Sequence, residues 1–137
     1  AGKGPLVLNM SRDWLGRVQS VSGVITQSTL RTGTAASHAA RSWCCNSGGI
    51  YDAGHLIANV FGGRGGLRSG NIIAMLRDLN QGAFKTLELN ILRTVEAGNR
   101  VSVHVQPVYS GGSTIPVKVA YWWRVNNGWW QVRYFQN

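Results

Sequence analysis

Acidic side chains are scarce in this sequence: 5 Asp and Glu stand against 14 Lys and Arg, for a formal charge of +9. An excess of that size points to polyanionic partners, nucleic acid first and a membrane surface a weak second. No apolar run approaches the ~20 residues that a spanning helix needs. No basic-then-apolar leader marks a signal peptide, and internal repeats and low-complexity segments are missing. The chain opens on Ala1 rather than Met, so a processed product or a piece of something longer is expected. Cysteine is limited to Cys44 and Cys45, which are neighbours. A disulfide between adjacent residues is strained and rare, so two free thiols are expected. What is present suits a folded globule: of 137 residues, 44% are hydrophobic and only 14% charged. Disorder is thereby disfavoured, and one domain over 1–137 is expected, with about 1–15 as an N-terminal extension.

Patterning along the chain gives an α+β order. "GRVQSVSGVITQSTL" (Gly16–Leu30) alternates with a Ser-Gly break and predicts a hairpin or two short strands. Arg31–Gly49 lacks a period and is expected as a connection with a helical turn. "GHLIANVF" predicts a short strand or turn, "GGRGGLRSG" (Gly62–Gly70) a loop, and "NIIAML" (Asn71–Leu76) a buried strand. A single main helix is expected from Asp78 to Ala97: Phe84, Leu87, Ile91, Leu92 and Val95 recur at helical spacing. Asp78 would be its N-cap, Gln81 would complete a capping box, and Gly98 would stand just past its end. Val101, Val103 and Val105 then open a β-meander whose last turn is "NNG" (Asn126–Gly128).

Against so few acids and histidines, "YDAGHLIANVFGGRGG" (Tyr51–Gly66) is conspicuous, for it places Asp52 beside His55 and follows them with an arginine-bearing loop. Histidine is the natural general base near neutral pH. Asn80 and Glu88, eight residues apart, would lie about 80° apart around one continuous helix and face the same neighbour. An amide and a carboxylate form an oxygen-only pair suited to a hard cation such as Mg²⁺ that keeps most of its waters. With a basic loop that seeks phosphate, the set suits metal-assisted hydrolysis of a phosphodiester.

"DAGHLIA" followed by "NIIAMLRDLNQGAFKTLE" resembles the DNA/RNA non-specific endonucleases of the ββα-metal class, whose pattern is D-x-G-H and then N-x₇-L-N-x-G-x-[WF]-x-x-L-E. The likeness is strongest to the compact nuclease toxin domains of bacterial polymorphic toxins, and runs from Gly16 to the terminal "FQN". It implies a single nuclease domain with a ββα-metal core that hydrolyses DNA and RNA without sequence specificity. It implies His55 as general base and Asn80 as the direct ligand of one divalent metal, usually Mg²⁺, with Mn²⁺ or another cation as substitutes. Glu88 is implied to hold metal-bound water, Asp52 to organise the site, and Gly54 to let the backbone turn ahead of the histidine. Ala53 and Met75 depart from larger relatives, which carry arginine and a polar residue there. Arg64, Arg68 and Arg77 are candidate replacements for phosphate contacts, from chemistry and placement alone.

Plainer roles compete with these. Asp52 is balanced between organising the site and capping a turn, and Arg77 between substrate and structure. His38 and His104 are expected to be structural. Trp122/Trp123 and Trp129/Trp130 are expected to be strand pairs with one member of each in the core. A toxin would be delivered into a target cell, would need an acidic immunity protein, and would not insert into membrane. The alternatives are a secreted scavenging nuclease and a basic nucleic-acid-binding module without turnover.

Overall fold

The computed structural model describes residues 4–45 and 49–137. In chain order the elements are β1 (Asn9–Arg12), β2 (Val18–Ile25), α1 (His38–Cys45), β3 (Tyr51–His55), β4 (Ile72–Leu76), α2 (Arg77–Gln81), α3 (Ala83–Glu96), β5 (Val101–Val108), β6 (Lys118–Val125) and β7 (Gln131–Gln136). Short 3₁₀ turns lie at Gln27–Thr29, Asn59–Phe61 and Leu67–Ser69. Antiparallel pairing gives a large sheet ordered β1-β2-β5-β6-β7 and a separate hairpin of β3 and β4.

Alternation along β5 buries Val101, Val103 and Val105 on one face. Together with Val21, Tyr121 and Phe135 they meet the apolar stripe of α3, formed by Phe84, Leu87, Ile91 and Val95. The Phe84 ring lies 5.5 Å from that of Tyr121 and 5.2 Å from that of Phe135, so this residue clamps α3 onto the sheet. β4 is buried almost throughout, and the β3–β4 hairpin leads directly into α2 and α3 as a ββα unit. The Asn137 side chain joins the hairpin to the large sheet. Its Oδ1 accepts from Leu76 N at 2.8 Å, and its Nδ2 donates to Ala74 O and Pro116 O at 3.0 and 2.7 Å. No helix among the described residues is long and apolar enough to cross a membrane.

Several local expectations are corrected. β2 runs unbroken through Ser22-Gly23, because both flanking strands pair with it and Gly23 makes room for the Leu6 side chain. The hairpin turn lies earlier, at Asp13–Arg17, where Asp13 Oδ1 accepts from Leu15 N and Arg17 N. β1, inside the segment expected as an extension, is an edge strand of the large sheet. The helix expected over 78–97 is broken at Gly82, whose missing Cβ avoids the Asp78 carbonyl. Asp78 is the second residue of α2 rather than its N-cap, which is Leu76. Gly98 does sit past the end of α3, at φ 101°. Gly54 lies within extended β3 instead of a tight turn, and its lack of a Cβ accommodates the fully buried Met75.

Trp129 and Trp130 are not a core-and-surface strand pair: both precede β7 in the connection and are exposed. Trp123 packs against the core, whereas Trp122 pairs across the sheet with His104. Cys44 and Cys45, expected as free thiols, are bonded to each other at the end of α1. Adjacency keeps the two Cα atoms 3.8 Å apart, so the pairing needs no other segment to bring the thiols together.

Candidate active site

β3 positions both residues of the D-x-G-H motif, Asp52 near its start and His55 at its end. Asp52 is the hub of a hydrogen-bonded group. Its Oδ1 accepts from Arg77 Nε at 3.0 Å, and its Oδ2 from Asn80 Nδ2 at 3.1 Å and Gln81 Nε2 at 3.2 Å. Burial alone would raise the Asp52 pKa, but the bonds from Asn80, Arg77 and Gln81 and the Arg77 charge outweigh it and hold it below the usual value. An ionised carboxylate only accepts, so Asn80 must turn its amide nitrogen to Asp52 and keep Oδ1 for another partner.

Glu88 lies on α3, beyond the Gly82 break, and its side chain has no hydrogen bond or ion pair among the described residues. Burial pushes its pKa up to about 8, opposed only by the Lys85 charge. The pKa of the Tyr121 phenol is raised by its own burial and then by the Glu88 charge, and this buried hydroxyl has no hydrogen-bond partner among the described residues. A freed amide oxygen and a half-buried carboxyl whose only cationic influence is the Lys85 charge suit an oxygen-preferring divalent cation.

His55 is aimed by its backbone surroundings. Its Nε2 lies 2.8 Å from the carbonyl oxygen of Thr34. A carbonyl only accepts, so Nε2 carries the proton and Nδ1 keeps its lone pair. Burial lowers the His55 pKa below 6.5, with the Thr34 bond as a partial offset, so the ring is neutral near neutral pH.

The glycine-rich loop explains why Thr34 stands there. Thr34 N donates to Gly63 O at 3.1 Å, Ser37 N to Gly65 O at 2.9 Å, and Gly65 N to Thr34 Oγ1 at 2.8 Å. A Cβ on Gly65 would strike the Ala35 carbonyl, one on Gly63 that of Ile57, and one on Gly33 that of Asn59. These glycines therefore serve close packing of two backbones, where the sequence suggested a flexible loop. Asn71, fully buried, completes the support: Oδ1 accepts from Ile57 N at 2.8 Å, and Nδ2 donates to Ile57 O at 2.9 Å and Arg64 O at 3.1 Å.

Asp52, Asn80 and Arg77 are thus joined directly, whereas His55 is fixed separately and Glu88 bonds to neither. Arg77 Nε is committed to Asp52. The Arg64 side chain is exposed, and Arg68 lines a cleft that reaches Ile72, the cross-strand partner of His55. Sequence reasoning assigned no site role to Gln81, expected in a capping box, to Asn71, the first residue of the N-x₇-L-N pattern, or to Thr34. Thr34 had no signal, because it acts through a carbonyl that any residue carries.

A neutral histidine with an available Nδ1 and an oriented amide, both carried by one ββα unit, are groups that hydrolysis of a phosphodiester can use. The model of the DNA/RNA non-specific endonuclease family matches residues 8–127, and the chain belongs to that family. A probable deoxyribonuclease RhsA of Dickeya dadantii (strain 3937) is 28% identical over 107 residues, covering 77% of this chain. The chain spans only 7% of that relative's length. Among solved structures, the fold is similar to NucA from Streptococcus agalactiae with magnesium ion bound, at TM-score 0.71 and 13% identity over 98% of this chain and 73% of that one. It is also similar to the Sda1 nuclease with bound zinc ion, at TM-score 0.72 and 19% identity over 96% of this chain and 74% of that one.

Proposed function

We propose that this chain is a Mg²⁺-dependent endonuclease that cuts DNA and RNA without sequence specificity and serves as the toxin domain of a longer protein. The observation that carries the chemistry is the division of labour at His55: Nε2 is spent on the Thr34 carbonyl, leaving Nδ1 to take a proton. As water attacks phosphorus, Nδ1 accepts its proton, and the bond from phosphorus to the leaving sugar oxygen breaks. A divalent cation held by Asn80 Oδ1, with Glu88 reaching its water, would neutralise charge on the phosphate and the leaving oxygen. Asp52 keeps Asn80 oriented, and the chain's positive charge holds the substrate backbone.

The test is degradation of plasmid and of RNA with Mg²⁺ or EDTA. Cleavage that persists in EDTA would overturn the metal role, and intact RNA beside cut DNA would remove the second substrate. His55→Ala should lower the rate by roughly 10²-fold or more while leaving DNA affinity and melting temperature nearly unchanged. Asn80→Ala should lose activity that excess Mg²⁺ partly restores; failure of any metal concentration to help would count against direct ligation.

The toxin reading rests on the sequence resemblance and on the small share of the RhsA relative that the chain spans. Delivery into a target cell and an acidic immunity protein over the basic cleft follow from it, the latter by charge complementarity. Coexpression with the neighbouring reading frame should yield a stable complex with no cleavage; a free, active nuclease in such cells would favour a scavenging enzyme.

A further inference from the structure

Beside the catalytic hairpin, the β1–β2 turn, α1 and the Leu67–Ser69 turn enclose a cleft of about 380 Å³. Three arginines line it, Arg12, Arg17 and Arg68, and no acidic residue does. Arg17 is committed to the fold, with Nε on Asp13 at 2.8 Å, Nη1 on two carbonyls, and its guanidinium over the Tyr109 ring. Arg12 makes a single bond, to Gly16 O, and Arg68 makes none among the described residues. Trp43 presents its indole on the same cleft, is 49% exposed, and has no hydrogen-bond partner among the described residues. Ile72, on the wall, is the cross-strand partner of His55, and cross-strand partners share one face of a hairpin. The cleft is therefore contiguous with the face that carries the base.

We propose that this cleft is a flanking subsite for the nucleic-acid strand, in which Trp43 stacks on a base while Arg12 and Arg68 hold phosphates beside the bond being cut. Stacking on an indole is open to every base, and phosphate contacts carry no sequence information, so the subsite adds affinity without specificity. An apolar wall between a guanidinium with one bond, that of Arg12, and one with none among the described residues, that of Arg68, suits a strand with bases on one side and phosphates on the other. The proposal rests on the nuclease reading above.

The test compares a single-stranded oligonucleotide with bis(p-nitrophenyl) phosphate, a diester with no flanking nucleotide. Trp43→Ala should lower kcat/KM on the oligonucleotide, relative to the small diester, by roughly 5- to 150-fold, the usual worth of one stacked base. The loss should fall on KM, and Trp43→Phe should recover most of it. Arg12→Ala should reduce the slope of log affinity against log salt by about one phosphate contact. Unchanged oligonucleotide kinetics, or equal losses on both substrates, would overturn the subsite. Should the wild type cut neither substrate, the nuclease reading fails. Fluorescence anisotropy of the labelled oligonucleotide in EDTA then still decides the subsite: wild-type affinity in Trp43→Ala and Arg12→Ala refutes it, and weaker binding in both supports it. If only a peptide rich in Asp and Glu distinguishes the variants, the cleft is a protein-docking site and the proposal falls.

Discussion

Asp52 bonds to neither His55 nor Glu88, yet through its bond to Asn80 Nδ2 it decides which atom of Asn80 is available. Asp52→Asn removes the charge that demands three donors and lets the Asn80 amide turn over. A Mg²⁺ titration of activity should show a midpoint raised about 10-fold or more, the usual effect of losing a partner behind a metal ligand; an unmoved midpoint would make Asp52 merely structural. At His55 the sign can be worked out. Burial favours the neutral ring, so its folded pKa lies below the ordinary 6.5. The base form survives to lower pH, and the acid limb of the kcat/KM profile should fall below pH 6.5. The same shift contributes stability above the unfolded value, which is lost as pH falls through the folded one. A limb above the ordinary value would point to a different base.

Between elements, α3 docks through Phe84, and Phe84→Ala should cost roughly 3–5 kcal/mol in denaturant unfolding. Glu88 works on the same helix in the opposite sense, as a half-buried carboxyl whose desolvation the Lys85 charge does not offset. Glu88→Gln should hold or raise the melting temperature in EDTA while reducing both cleavage and the gain in melting temperature on adding Mg²⁺. A full gain in the variant would separate Glu88 from the metal. The stripe Phe84, Leu87, Ile91 and Val95 was legible because periodicity reports burial. The break at Gly82 was not, since it depends on the Asp78 carbonyl crowding a Cβ, a contact that spacing does not encode. D-x-G-H and then Asn80 and Glu88, as residue types in order, carried the family resemblance; the single continuous helix expected to hold Asn80 and Glu88 is broken at Gly82, and the Asp52 hub needed a partner 28 residues away in sequence.

Over the whole molecule, the +9 charge and the lack of any acid beyond Glu96 leave positive potential little to oppose it. DNA affinity should therefore fall steeply and linearly on a log–log plot against salt, and a flat dependence would dissociate binding from phosphates. The backbone zipper between Gly63–Gly65 and Thr34–Ser37 bears on how such a domain can diversify. Its two strands hold each other in step, so one inserted residue on either side would carry the Thr34 carbonyl out of reach of His55. Exposed turns such as Gly111–Ser113, with carbonyls bonded to the Arg17 guanidinium, do not set the position of the base. Length changes among descendants of this chain should collect in those turns, and 62–65 should keep its length even where its arginine is replaced.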